Sequence, residues 1–174
     1  LLYKVCEDHG IKKINSLKST PVPDRDTGGS PKTDVCFYIN KTPIKFSIKQ
    51  SCSTSVTVAE YSAAQILAET EITDSTIALL MNKHQVEKSA KNFTDLEKKA
   101  LIAALAKNNN GEKLVRWTLT GTPDKTSPDR RMANYMIMFK IDRQQCPNII
   151  ETIAHSSEEA VRKVLKGRAG FGTG

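Results

Sequence analysis

The feature that most constrains the fold is a stretch with the pattern of two β-strands joined by a short turn. Apolar and aromatic residues recur through residues 34–40 and 44–50, which predicts one strand in each segment. We expect residues 41–43 to form the turn, because the proline there has no N–H to give to a ladder. A short antiparallel connection brings the start of one strand beside the end of the next. The pattern therefore predicts that Asp34 and Lys49 converge at one end of a hairpin.

This acid and lysine pair has two interpretations. A metal-binding carboxylate beside a lysine at a sheet edge is what metal-assisted phosphodiester hydrolysis requires. An ordinary hairpin with two solvated charges has the same spacing, since any basic protein contains such pairs. The hairpin residues alone leave both interpretations open.

The composition is that of one globular domain with a basic surface. The chain has 174 residues, of which 39% are hydrophobic and 26% charged, so residues 1–174 can bury a sizeable core. Lys and Arg number 26 against 19 acidic residues, a net charge of +7. That surplus favours a polyanionic partner, nucleic acid by default, although an unspecialised basic surface has the same charge. Residues 1–27 show little clear pattern, and because the first residue is Leu1 we expect a segment of a longer protein.

Cysteine and hydropathy patterns bear on the cellular compartment. The four cysteines, at positions 6, 36, 52 and 146, form no C-x-x-C pair, which argues against a zinc site. Free thiols in a reducing cytosol are the simplest interpretation, with Cys36 buried. The sequence has no apolar run long enough to cross a membrane and no signal-peptide pattern, so we expect no membrane partner.

The rest of the chain predicts helices and two further strands around the hairpin. We expect a short helix within residues 1–18, a loop at 19–30, and helices at 56–69 and from Thr73-Asp74 onward. Thr94 and Glu97 form a capping-box pattern, and its helix is expected to stop at Asn110-Gly111. Strands are predicted at 113–120 and 135–141, and a last helix from Ser156 through Lys166. This order predicts an α/β fold of the α+β kind, a mixed sheet with helices packed on it.

Several ordered motifs resemble a known family. They begin with Gly-Gly-Ser-Pro-Lys-Thr-Asp, Ile-Lys-x-Ser and Val-x-x-Ala-Glu-Tyr, at residues 28–34, 48–51 and 56–61. Shorter stretches agree in the same order, at residues 83–85, 89–91, 93–94, 116–117 and 170–174. Together they resemble the type II restriction endonucleases of the MspI family, within the PD-(D/E)xK nuclease superfamily. The resemblance extends over residues 28–174.

The resemblance implies a restriction-endonuclease-like mixed β-sheet flanked by helices. It also implies Mg²⁺-dependent hydrolysis of double-stranded DNA at CCGG by a cytoplasmic bacterial protein of a restriction-modification system. The cognate methyltransferase would act on the same site without needing to bind the nuclease. We expect a monomer or a weak dimer.

The same resemblance assigns roles at the hairpin. Asp34 matches the metal-binding aspartate and Lys49 the catalytic lysine. Ser47 stands where the superfamily has Asp or Glu and the MspI type has Asn, so it is a candidate catalytic and metal-binding residue. A serine oxygen is a poorer Mg²⁺ ligand than a carboxylate. Ser47 could act through a water, or Glu60 could contribute charge.

DNA contacts are predicted around this site. Thr57 lies where the family places a hydroxyl that touches a base, although a plain helix cap has the same residue type. Lys32 and Ser51 are candidates for phosphate contacts or are solvated polar residues. Two other functions fit the pattern: a catalytically weakened DNA-binding module of the same fold, in view of Ser47, and a repair-type nuclease with relaxed specificity.

Overall fold

A five-stranded mixed sheet forms the centre of the protein. The computed structural model describes residues 1–20, 33–52, 62–121, 132–142 and 148–166. Its strands follow one another in chain order, and only β3 and β4 are parallel. The strands are β1 (Leu17–Thr20), β2 (Val35–Ile39), β3 (Thr42–Ser51), β4 (Tyr135–Asp142) and β5 (Asn148–Ser156).

Helices flank this sheet, which confirms the predicted fold class. Val5 of the first helix packs with residues of β2, β3 and β4 on one face. On the other face Leu119, Ala160 and Val161 pack against Met136. The helices are α1 (Leu2–Asp8), α2 (Ala63–Thr70), α3 (Ser75–Glu87), α4 (Asp95–Ala106), α5 (Asn110–Thr120) and α6 (Ser157–Lys166). None of the helices in the described ranges is long and apolar enough to cross a membrane.

The predicted hairpin is present, but its turn lies earlier than expected. Asn40 and Lys41 connect β2 and β3, with φ angles of 52° and 82°. Positive φ at both central residues is the geometry of tight hairpin turns, and Asn tolerates it well. The predicted turn at residues 41–43 is therefore wrong, since Thr42 and Pro43 belong to β3 and Pro43 pairs with Tyr38.

The segment predicted as a strand at 113–120 is a helix. Asn108 and Asn109, with φ angles of 51° and 56°, separate it from α4, and Asn110 begins α5. The prediction that Asn110-Gly111 stops the preceding helix is wrong for the same reason. α5 packs against α6 on one side and against α2 and α4 on another. Because apolar residues then lie on several faces of this helix, their spacing imitates the alternation of a strand.

Two strands were not predicted. β1 pairs with β2 through Leu17 and Ile39, at the edge of the sheet, although residues 19–30 were expected to form a loop. β5 pairs antiparallel with β4, so β4 has a neighbour on each side. β1 is a short edge strand with one apolar residue and depends on its partner for hydrogen bonds, which makes it hard to detect in one sequence.

The predicted helix starts are confirmed where the structure describes them. The Asp74 carboxylate accepts from the amides of Thr76 and Ile77, at 2.9 and 3.2 Å. The Ser156 hydroxyl accepts from the amide of Glu159 at 3.3 Å. The helix expected at 56–69 is observed in part, as α2, which begins at Ala63 with Ser62 as its cap. The backbone of Ser62 is extended, so the prediction of a continuous helix from residue 56 is wrong, and residues 53–61 lie outside the described ranges.

The capping box at Thr94 is complete, which allows a stability prediction. The Thr94 hydroxyl accepts from the amide of Glu97 at 3.2 Å, and the Glu97 carboxylate accepts from the amide of Thr94 at 2.7 Å. We expect Thr94→Ala to lower the free energy of unfolding by about 1 kcal/mol, because one helix donor loses its acceptor. Urea unfolding followed by circular dichroism measures this. Thr73→Ala, at an exposed residue just before the Asp74 cap, is the control and should unfold like the wild type. An equal loss in both variants would contradict a specific capping effect.

Candidate active site

Strand β3 carries two of the predicted site residues on one face of the sheet. Ser47 and Lys49 are two residues apart, so their side chains leave the strand on the same side. Phe46 and Ile48 leave it on the opposite side and pack in the core with Tyr135. The strand thus holds the candidate residues on a rigid base that is anchored by buried apolar side chains.

Asp34 lies immediately before β2 and its carboxylate reaches across to β3. The amide of Ile48 donates to Asp34 Oδ2 at 2.6 Å, and the Ser47 hydroxyl donates to the same oxygen at 3.4 Å. The amide of Asp34 donates to the carbonyl of Phe46 at 2.8 Å. Asp34 is exposed despite these contacts. The carboxylate is therefore anchored through one oxygen at a surface that a ligand can reach.

The Ser47 side chain is buried in the sheet and contacts this carboxylate. Its relative exposure is 0%, and its Cα partner on the neighbouring strand is Met136. A buried hydroxyl needs a hydrogen-bond partner to offset its desolvation, and Asp34 supplies one.

Lys49 continues the same face toward the end of β3. The residue is partly exposed and lies opposite Met138 of β4. Within the ranges given above, no hydrogen bond or ion pair engages its ammonium group. An unengaged ammonium beside an apolar strand is available to a phosphate or to a water molecule.

The remaining predicted contact residues lie wholly or in part outside the described part of the chain. Ser51 ends β3, but its side chain is outside the described set. Lys32, Thr57 and Glu60 lie in ranges that the structure does not describe. The basic side chains of Arg162, Lys163 and Lys166 are exposed on α6.

The donor set fits one hard divalent cation with few protein ligands. The described residues contain no group of three or more His, Cys, Asp or Glu side chains that could hold a metal ion. Mg²⁺ keeps several waters and commonly takes one or two carboxylates together with substrate phosphates. A single exposed carboxylate suits that coordination.

A nearby thiol is less accessible than a reactive cysteine requires. Cys36 is half-buried on β2, where it was expected to be buried. Burial raises the pKa of its thiol, and the charge of Lys45 opposes that shift. Since the thiolate is the reactive form, Cys36 is not suited to act as a nucleophile here.

The backbone amide of Ile48 was not predicted as a partner of Asp34. The contact depends on the register of β2 and β3, in which Val35 pairs with Phe46. Recognition of the Asn40-Lys41 turn would have given that register, because Asn is favoured where φ is positive.

Comparison with known proteins adds to this geometry. A family model described as restriction endonuclease MspI matches residues 1–172. The chain belongs to the MspI restriction endonuclease family. This confirms the resemblance found in the sequence and extends it to the first 27 residues.

Two comparisons with restriction endonuclease MspI, one with its sequence and one with a solved structure, show how much of that relative the chain spans. The type II restriction enzyme MspI of Moraxella sp is 32% identical over an alignment of 154 residues, and this match covers 84% of this chain and 58% of that enzyme. A crystal structure of restriction endonuclease MspI in complex with its cognate DNA matches with a TM-score of 0.78 and 26% identity. The match covers 99% of this chain and 69% of that one. The chain thus spans less than two thirds of the curated relative.

Proposed function

We propose that the protein is a type II restriction endonuclease that hydrolyses double-stranded DNA at CCGG with Mg²⁺. The observation that carries the proposal is the hairpin of β2 and β3 in a chain of the MspI family. This hairpin holds the exposed Asp34 carboxylate, which the Ile48 amide anchors, and it also carries Lys49. The net charge of +7 suits a DNA partner. A monomer or weak dimer would act, and the methyltransferase of the same system would modify the same site without binding the nuclease.

Asp34 is proposed to hold the metal. Its carboxylate is exposed and is oriented by the amide of Ile48, so it can take a cation without rearranging the strand. A bound Mg²⁺ would neutralise phosphate charge and acidify a water. Lys32 and Ser51, next to the site in sequence, are proposed phosphate contacts, and Thr57 a proposed base contact.

Lys49 is proposed to act on the attacking water and on the phosphate. Its ammonium would orient the water and place positive charge near the phosphorus, where negative charge increases in the transition state. Because β3 is anchored by core residues on its other face, the ammonium starts from a fixed backbone position. Such positioning reduces the entropy lost on reaching the reactive geometry.

One experiment tests the activity and the specificity together. We expect a linear duplex with a single CCGG and Mg²⁺ to give two fragments of defined length. The matched duplex, in which CCGG is changed to CCTG, should stay intact. Since the chain spans part of its relatives, the longest natural form of the protein is the sample to use.

Two outcomes would contradict the proposal. DNA binding with no cleavage, even at high Mg²⁺, would support the catalytically weakened DNA-binding module. That alternative is favoured by Ser47, which stands where other nucleases have a second carboxylate. Cleavage of the CCTG duplex or of mismatched duplexes would support a repair-type nuclease. The first result would show that catalysis is missing, and the second would show that sequence specificity is missing.

A further inference from the structure

The position of Ser47 distinguishes it from a direct metal ligand. The side chain is completely buried, whereas the carboxylate above it is exposed. A cation that reaches Ser47 Oγ would have to lose nearly all of its water and enter beneath Asp34. Mg²⁺ gives up its water reluctantly, so the buried hydroxyl is poorly placed to coordinate it.

The hydrogen bonds of Asp34 indicate a different role. Both donors that the described residues provide to this carboxylate, the Ile48 amide and the Ser47 hydroxyl, bind Oδ2. Oδ1 accepts no hydrogen bond from the described part of the chain. The 2.6 Å bond from the Ile48 amide restricts rotation of the carboxylate, the longer 3.4 Å contact from the Ser47 hydroxyl adds to it, and Oδ1 is left for a cation.

We propose that Ser47 is a positioning residue, whose hydroxyl holds the Asp34 carboxylate with Oδ1 presented to Mg²⁺. The inference rests on the proposed function, since it assumes that Asp34 binds the metal. It assigns to Ser47 an indirect effect on metal affinity, through Asp34, and no bond to the metal. The site then has one protein carboxylate, and its other ligands are waters and phosphate oxygens.

A matched pair of variants isolates the hydroxyl. Ser47→Thr and Ser47→Val add side chains of nearly equal volume to the buried site and differ in the hydroxyl alone. Mn²⁺ affinity, measured by electron paramagnetic resonance on the DNA-free protein, is the readout besides cleavage. We expect the Val variant to bind Mn²⁺ about 10-fold or more weakly than the Thr variant, as for other residues that orient a metal ligand. Equal affinity in the two variants would overturn the proposal.

A thiol variant distinguishes positioning from direct coordination. A cysteine that bound the metal would favour the softer Mn²⁺ or Cd²⁺ over Mg²⁺. We expect Ser47→Cys to lose metal affinity by a similar factor for Mg²⁺ and for Mn²⁺, with no recovery of cleavage in Cd²⁺. Selective recovery in Cd²⁺ would show that position 47 touches the metal and would overturn the inference.

The wild type and an Asp34 variant separate failure of this inference from failure of the proposed function. If Asp34→Asn leaves Mn²⁺ affinity unchanged, the metal site itself is wrong. If Asp34→Asn weakens Mn²⁺ binding while the Thr and Val variants bind equally, only the role of Ser47 is wrong. Thermal unfolding of each variant shows whether weaker Mn²⁺ binding comes from loss of folded protein.

Discussion

The Lys49→Ala variant is expected to lose Mg²⁺-dependent cleavage of CCGG DNA by about 100-fold or more and to keep its affinity for DNA. Removal of one positioned charge or proton-transfer group commonly costs about 10²–10⁴-fold in rate. A 100-fold loss corresponds to about 2.7 kcal/mol of transition-state stabilisation. Single-turnover cleavage at saturating protein measures the chemical step, and a gel-shift assay without metal measures binding.

The environment of Lys49 explains why its truncation should affect cleavage and leave the fold intact. Lys49 is partly exposed and makes no ion pair within the described ranges, so truncation removes no buried contact of the fold. Gln50→Ala is the matched control, because the next residue of β3 is exposed and points to the other face. The control should cleave like the wild type. Cleavage by Lys49→Ala at the wild-type rate would refute the assignment of this residue.

The Asp34→Asn variant is expected to lose cleavage by about 100-fold or more and to bind Mg²⁺ and Mn²⁺ more weakly. The substitution removes the negative charge that attracts the cation but keeps an oxygen that can accept from the Ile48 amide. The hydrogen bond between residue 34 and the Ile48 amide of β3 should therefore survive. Metal titrations of the cleavage rate separate weaker binding, which excess Mg²⁺ restores, from a loss that excess metal leaves unchanged.

DNA binding without metal provides a further check on Asp34. Loss of a carboxylate near the phosphate backbone should leave DNA affinity unchanged or raise it, because a repulsive charge is removed. Asp95→Asn is the control, since Asp95 is an exposed acid at the start of α4, with a side-chain exposure of 92%. A loss of DNA affinity in Asp34→Asn, with a normal unfolding temperature, would contradict a metal-holding role.

Local chemistry allowed several elements to be predicted from sequence. The capping residues Asp74, Thr94 and Ser156 satisfy helix amides within a few residues of themselves, so their signals need no tertiary context. The apolar run of β4 was also recognised, since a strand covered on both faces of the sheet carries continuous hydrophobic residues.

Elements that depend on distant partners were harder to predict. In α4 the apolar residues Leu96 and Ile102 are 79% and 64% exposed, while Leu101 and Ala104 are buried. The face that a short helix buries is set by the neighbours it meets, and many alanines leave its own pattern weak. α5 was assigned as a strand because residues 113–120 alternate over a short window, whereas the helix packs against α2, α4 and α6.

The register of the hairpin had the largest consequence for the site. A turn at residues 41–43 would set Val35 opposite Lys49, whereas the observed turn sets it opposite Phe46, three residues earlier. A shift by an odd number of residues reverses the face on which paired side chains lie. The observed register places Asp34 against Ser47 and Ile48, and this contact is the basis of the role proposed for Ser47.

The sequence by itself determined the family, the mixed sheet with its flanking helices, and the hairpin that carries Asp34 and Lys49, because motifs and strand patterns are local in the chain. Only the tertiary structure decided that Ser47 is buried and that its hydroxyl donates to Asp34. Burial and carboxylate orientation depend on the strand register and on the helices packed over the sheet, and these join residues that lie far apart in sequence.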